Sequence, residues 1–266
     1  MTYNNPNING SNCSELNILE SLRKKNPLVI CITNDVVRTF TANGLLAIGA
    51  SPVMSECSED LKDLIVHASA LLINIGTVTP DKVTYYKEAV KLAKAHEVPI
   101  ILDPVGCHAG AYRLSVVLDL IKTGAISLLR GNQSEIKAIY DALNTNHKID
   151  SSLSGKGVDG EQVEDSAIIT YRLARQINCP VVATGEEDYV SDGTRVFAVP
   201  HGHSIMTAVT GTGCLLGAVL AAFFSSYYPF MDNLSIGEFL AYALAYYGLA
   251  GESAVKVSGV KPGIFS

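Results

Sequence analysis

Thr210-Gly211-Thr212-Gly213-Cys214 is the stretch of this chain best suited to chemistry. It follows an apolar run, Ile205–Val209, and opens a long apolar segment. Gly211 and Gly213 let the backbone turn tightly with no side chain in the way. A helix starting there offers unpaired N–H groups and the positive end of its dipole, which suits a phosphate. A plain strand-to-helix turn with a buried cysteine fits the same residues. The stretch is not a Walker A loop, because no Gly-Lys-Ser/Thr follows, and it lacks the third glycine of GxGxxG. Cys214 is either a thiol activated by the helix end, able to act as base or nucleophile, or an inert core thiol.

Five other apolar runs also end in small, polar or charged residues. Leu28–Ile32 leads to Thr33-Asn34-Asp35, and Ala70–Ile75 leads to Gly76-Thr77. Val98–Leu102 leads to Asp103-Pro104, Ala125–Leu129 to Arg130-Gly131-Asn132 with Glu135 one turn on, and Pro180–Ala183 to Thr184-Gly185-Glu186. Asp103 reads as a turn-stabilising acid or as a metal or phosphate contact. Arg130 reads as a capping cation or a phosphate clamp. Asn132-x-x-Glu135 reads as an N-cap with a side chain reaching back, or as a carboxylate holding magnesium-bound water. His108, His201 and His203 have no ligand spacing and read as turn or solvent histidines.

Those runs are 4–6 residues of Val, Ile, Leu and Ala with little alternation, as strands buried on both faces require. Val196–Val199 is another. Helical patterns lie between them. Thr79-Pro80 is an N-cap followed by a first-turn proline, opening a helix to about His96. Arg113–Lys122 stops at Gly124, and further helices are expected over 132–143, 161–178, 214–228 and 235–256. Strand alternating with helix predicts βαβ units and a mostly parallel sheet covered on both faces. Ligands of such sheets bind beyond the carboxyl ends of the strands, where all six candidate positions fall. Residues 1–13, rich in Asn, are expected as a flexible tail, 14–266 as a single domain, and Lys156–Glu161 as a mobile loop.

At 266 residues the chain is long enough for a substantial core, and it is 48% hydrophobic and 17% charged, which excludes a disordered chain. A net charge of −6 argues against nucleic acid as partner. The longest apolar stretch, Leu215–Phe224, is far short of the ~20 residues of a membrane span. The six cysteines are far apart in sequence, with no zinc-ligand spacing and no signal peptide before them, so a reduced cytoplasmic protein is expected.

Longer stretches carry a resemblance. Thr33–Val36 (TNDV), Phe40–Met54 (FTANGLLAIGASPVM), Leu72–Thr77 (LINIGT), Leu102–Gly106 (LDPVG), Arg130–Glu135 (RGNQSE), Thr184–Glu186 (TGE) and Val209–Leu216 (VTGTGCLL) resemble, in order and spacing, the hydroxyethylthiazole kinase family. The similarity runs from about residue 26 to 265. The wider ribokinase-like superfamily normally has Asp at the position of Cys214.

The resemblance implies a ribokinase-like three-layer α/β/α sandwich. It implies transfer of the ATP γ-phosphoryl group to the hydroxyl of 4-methyl-5-(2-hydroxyethyl)thiazole, a thiamine salvage step, by a homotrimer with sites at subunit interfaces. Met54 and Gly211 match substrate-binding positions, and Asn34 matches a residue lining the thiazole pocket. Arg130 and Thr184 match ATP-binding positions, Asp103 and Glu135 the acidic positions associated with Mg2+, and Cys214 the position beside the substrate hydroxyl. The N–H groups of Gly211, Thr212, Gly213 and Cys214 would form the anion hole. A kinase of another small alcohol, such as a pyrimidine or pyridoxal, and a non-catalytic nucleotide sensor are the alternatives. Two departures stand out. Thr212 occupies a family Ala position and is expected to add a hydroxyl near the phosphate. Lys261 replaces a family Gly, and family members continue past the position of Ser266 into a further helix, whose absence would expose apolar surface near the nucleotide side.

Overall fold

The computed structural model describes residues 17–144 and 165–265. The expected tail at 1–13 and the loop Lys156–Glu161 lie outside the described residues.

Eight strands form one sheet: β1 (Leu28–Ile32), β2 (Ser51–Met54), β3 (Ala70–Asn74), β4 (Ile100–Asp103), β5 (Ile126–Asn132), β6 (Val181–Thr184), β7 (Asp188–Ser191) and β8 (Val196–Val199). Their order is β2-β1-β3-β4-β5-β6-β7-β8. Pairing is parallel from β2 through β6, and β7 runs antiparallel to both neighbours. The absence of alternation in the apolar runs has a direct cause. In β1, Val29 and Cys31 enter the core on one face while Ile30 and Ile32 enter the core on the other, and all four are buried.

Helices α1 (Ile18–Lys25) and α2 (Arg38–Ile48) pack on the first face. On the opposite face lie α3 (Ser58–Leu64), α4 (Pro80–Ala95), α5 (Ala111–Lys122), α6 (Gln133–Asn144) and α7 (Ser166–Ile177). Two apolar helices, α8 (Thr212–Ser225) and α9 (Ile236–Ser258), complete the first face. The result is the expected three-layer α/β/α sandwich. Thr79 caps α4 by accepting the Lys82 N–H, and Ser235 caps α9 by accepting that of Glu238. Among the described residues, no helix is long and apolar enough to cross a membrane.

The structure corrects the sequence reading in one element that bears on the site. Ile205–Val209 is not a strand; Ser204–Ala208 is a 3₁₀ turn. His203 Nδ1 accepts the Ile205 N–H at 3.1 Å and starts the turn, and the sheet has already ended at Val199 before Pro200. Strands β2 and β7 and helices α1, α2 and α3 have no counterpart in the expected elements.

Candidate active site

Asp103 ends β4 and is fully buried. Its neighbour across the ladder is Asn74, the last residue of β3. Asn74 Nδ2 donates to Asp103 Oδ2 at 2.7 Å, and Asn74 Oδ1 accepts from Asn34 Nδ2 at 2.9 Å and the Gly76 N–H at 3.0 Å. Asn34 Nδ2 also lies 3.3 Å from Cys214 Sγ. A chain of buried amides therefore joins Cys214 to Asp103. Burial pushes the Asp103 carboxyl up to about 7, against the pull of the Arg130 guanidinium. Asp103 Oδ1 has no hydrogen-bond partner.

Arg130, on β5, is buried. Its Nη2 donates to Thr184 Oγ1 at 2.9 Å, and its Nη1 lies 3.6 Å from Asp103 Oδ1. The guanidinium also lies against Gly213, where an added Cβ would sit 3.4 Å from both Nη atoms. Strand β5 thus delivers its cation to the start of α8.

Gly211 precedes α8 with φ +97°. No side chain caps this helix; the Thr212 N–H reaches the Val209 carbonyl at 3.4 Å, and no bond is seen from the N–H groups of Gly213 and Cys214 among the described residues. The expected hydroxyl beside the phosphate site is absent: Thr212 Oγ1 donates to the Met206 carbonyl at 2.6 Å, with the Val209 carbonyl at 3.1 Å. Of the two readings of Cys214, its surroundings favour the protonated thiol. Burial, and then the Asp103 charge, push its thiol above the ordinary value, and the Asn74 and Asn34 amides and Arg130 offset this only in part.

Glu135 forms the reciprocal cap. Its backbone N–H donates to Asn132 Oδ1 at 2.8 Å, and its Oε2 accepts the Asn132 N–H at 2.7 Å. Its Oε1 accepts the Gly106 N–H at 2.8 Å, tying the loop after β4 to the start of α6. Each oxygen keeps a second lone pair for another donor or a cation.

Asp103, Arg130, Glu135, Thr184 and the turn Gly211–Cys214 line one cleft of about 1020 Å³. That is at the top of the ~300–1,000 Å³ range of ligand pockets, and larger than a small alcohol alone requires. Asn34 is not among the lining residues and reaches the cleft only through its bonds to Cys214 and Asn74. Met54 ends the edge strand β2, partly buried and away from the cleft lining.

Sequence reasoning missed five contributors. Asn74 hides inside an apolar run, and a polar residue breaking LLIN was the available signal. Asp188, on the unforeseen β7, lines the cleft; burial pushes it up to about 6, against the Gly185 N–H and Arg130. His201 and His203, read as turn or solvent residues, line it too. Tyr247 enters from α9 with no signal in its uniformly apolar surroundings.

The model of the hydroxyethylthiazole kinase family matches residues 19–266. The chain is similar to hydroxyethylthiazole kinase of Streptococcus agalactiae serotype Ia, 50% identical over 240 residues that span 90% of this chain and 89% of that protein. Its structure is similar to that of the hydroxyethylthiazole kinase protein from Pyrococcus horikoshii OT3, with a TM-score of 0.80, 36% identity, and coverage of 93% of this chain and 87% of that one. A ribokinase-like superfamily protein from Enterococcus faecalis shares the fold, with a TM-score of 0.61, 15% identity, and coverage of 91% of this chain and 85% of that one.

Proposed function

This chain belongs to the hydroxyethylthiazole kinase family, and from that premise we propose that it transfers the γ-phosphoryl group of ATP to the hydroxyl of 4-methyl-5-(2-hydroxyethyl)thiazole, a thiamine salvage step. The observation that carries the reading is the uncapped first turn of α8, with Arg130 against Gly213 in the same cleft. Phosphoryl transfer needs positioning and charge stabilisation more than covalent work by the protein. The N–H groups of Gly211, Thr212, Gly213 and Cys214 form an anion hole for the moving group. Arg130, steadied by Thr184, pairs with nucleotide phosphate.

Charge supports a divalent cation. Asp103, Glu135, Glu186 and Asp188 line the cleft, against Arg130 as the sole Lys or Arg among the described lining residues. A polyphosphate would meet net repulsion there without added positive charge. The buried Oδ1 of Asp103, with no hydrogen bond among the described residues and only the Arg130 guanidinium at 3.6 Å, suits a cation, and Glu135 suits a cation-bound water through its spare lone pairs. Mg2+ is usually held by one or two carboxylates together with substrate phosphates, so Asp103 and Glu135 would suffice with the nucleotide. When bound, Mg2+ would neutralise charge on the phosphate oxygens. Cys214 holds its proton and positions the hydroxyl; the amides of Asn34 and Asn74 fix its sulfur.

Assembly follows from the edge. Among the described residues strand β2 is unpaired on its outer side, and Val36 and Leu46 are 70% and 59% exposed. These features support a homotrimer in which a neighbouring copy covers Met54 and closes the thiazole pocket. ATP as co-substrate and five free thiols among the described residues support a cytoplasmic setting.

The test is ADP release with Mg-ATP and the thiazole, beside hydroxymethylpyrimidine, pyridoxal and ribose. Turnover with the thiazole alone is expected. Turnover with another alcohol would keep the phosphate site and discard the substrate. ATP binding without any turnover would indicate a sensor.

A further inference from the structure

One face of α9 seats the wall of the cleft. Tyr247, Gly248, Gly251 and Glu252 follow at helical spacing. At Gly248 an added Cβ would lie 2.6 Å from the His201 carbonyl, and at Gly251 it would lie 2.5 Å from Met206 Sδ. Glu252 accepts the Gly202 N–H at 3.0 Å, and its Oε1 lies 3.4 Å from His201 Nδ1. The backbone of 201–206 therefore lies flat on α9, in contact the absent side chains permit.

Thr212 joins this wall to the anion-binding turn. The N-cap position of α8, where a Ser or Thr hydroxyl would meet the helix's own N–H groups, is held by Gly211, which has none. Thr212 turns its hydroxyl outward to the Met206 carbonyl at 2.6 Å, and the first turn stays uncapped. Its own carbonyl accepts the Tyr247 hydroxyl at 2.7 Å. One buried residue is thus held on one side by the wall and on the other by α9. Burial pushes the Tyr247 phenol well above its usual value, so this donor keeps its proton throughout the working range.

We infer that Thr212 and Tyr247 are a positioning pair, holding the first turn of α8 in the orientation that presents its N–H groups to the phosphoryl group. The inference deepens the kinase reading and rests on it. An anion hole stabilises a transition state only if its dipoles are fixed before the charge develops. Neither side chain needs to touch substrate. Both fix the peptide units that do.

The experiment uses the full chain with Thr212→Val, which keeps shape and loses the hydroxyl, Thr212→Ser, which restores it, and Tyr247→Phe. Steady-state turnover, thermal unfolding and hydrogen exchange across 209–216 are read on each. Removing one direct oxyanion donor costs about 10²–10³ in kcat, so loosening the turn should cost about tenfold in Thr212→Val and Tyr247→Phe. KM for the thiazole should stay within about twofold, because the loss is confined to the transition state. Thr212→Ser should recover most of the kcat, and exchange at 211–215 should quicken in the Val and Phe variants only. Wild-type kcat in Thr212→Val and Tyr247→Phe would overturn the inference, even with a lowered Tm. If the wild-type chain itself turns over no thiazole, the kinase reading fails. Exchange then decides the pairing alone: unchanged protection at 211–215 in both variants overturns it.

Discussion

Asn74 donates from Nδ2 to Asp103 Oδ2 at 2.7 Å, between paired positions at the ends of β3 and β4. The Gly76 N–H, 3.0 Å from Asn74 Oδ1, can only donate, so it fixes which way round the amide lies. Asp103 Oδ2 is thereby committed as an acceptor. Oδ1, 3.6 Å from Arg130 Nη1, is the oxygen left for a ligand. Sheet register thus decides which carboxylate oxygen the amide engages.

Asn74→Ala should show how much rests on this amide. It strands one Asn34 N–H and Asp103 Oδ2 in a buried setting and the Gly76 N–H in a part-buried one. Each unpaired buried group costs about 1–3 kcal/mol. Each kcal/mol lowers Tm by about 2–4 °C in a domain of this size. Calorimetry should therefore show a Tm lower by several degrees, and assays should show at least about a tenfold loss of turnover. A variant with wild-type Tm and activity would dismiss the amide chain as incidental.

The cleft should also leave a mark on stability against pH. Asp188 is held at about 6 in the fold by burial, above the ordinary value of 3.8. A carboxyl raised on folding binds its proton more tightly in the native state. Stability is then lost as pH rises from the unfolded value through the folded one. Wild-type protein, free of nucleotide, should lose stability relative to Asp188→Asn between about pH 4 and 6, by at most roughly 3 kcal/mol. The asparagine keeps an acceptor for the Gly185 N–H, 2.9 Å away. Parallel pH slopes for the two proteins would contradict the burial of this charge.

The backbone plan of the site was legible because its strands are buried on both faces. Leu28–Ile32 and Val196–Val199 stand as continuous apolar runs with the bounds read from sequence. Asp103, Arg130 and Thr184 were found because each follows or ends such a run on one edge of the sheet. Strand β2 escaped because an edge strand of four partly buried residues, Ser-Pro-Val-Met, has no run to show. Ile205–Val209 misled because five residues of mixed apolarity fit a strand and a 3₁₀ turn equally well. The His203 side chain that decides between them lies outside the run. Tyr247 was invisible for a different reason. In a helix apolar on most sides, nothing local marks a residue whose hydroxyl crosses to another helix.

Gly211→Ala should damage the cleft through a single methyl. The residue sits at φ +97°, where a side chain is strained, and its Cβ would lie 2.9 Å from Val37 Cγ1 and 3.2 Å from Phe40 Cδ1. Backbone strain of this kind costs about 1–3 kcal/mol before any clash. If α2 yields, the turn moves with it, and kcat/KM should fall about 10- to 100-fold while the fold survives. Circular dichroism and steady-state kinetics on the same sample separate the two effects.

Cys214→Ala should be mild by comparison. The thiol is pushed above its ordinary value by burial and by Asp103, so near neutral pH it holds its proton. A protonated thiol is a poor base, and a true general base is worth about 10²–10⁴ in rate. Turnover in Cys214→Ala should therefore stay within about tenfold of wild type, with the loss reflecting slackened positioning of the hydroxyl. Alkylation gives an independent reading. The exposed Cys57 should react with iodoacetamide well before Cys214, because the thiolate is the reactive form. A rate loss in the general-base range, together with rapid labelling at Cys214, would return the proton-accepting role to the sulfur.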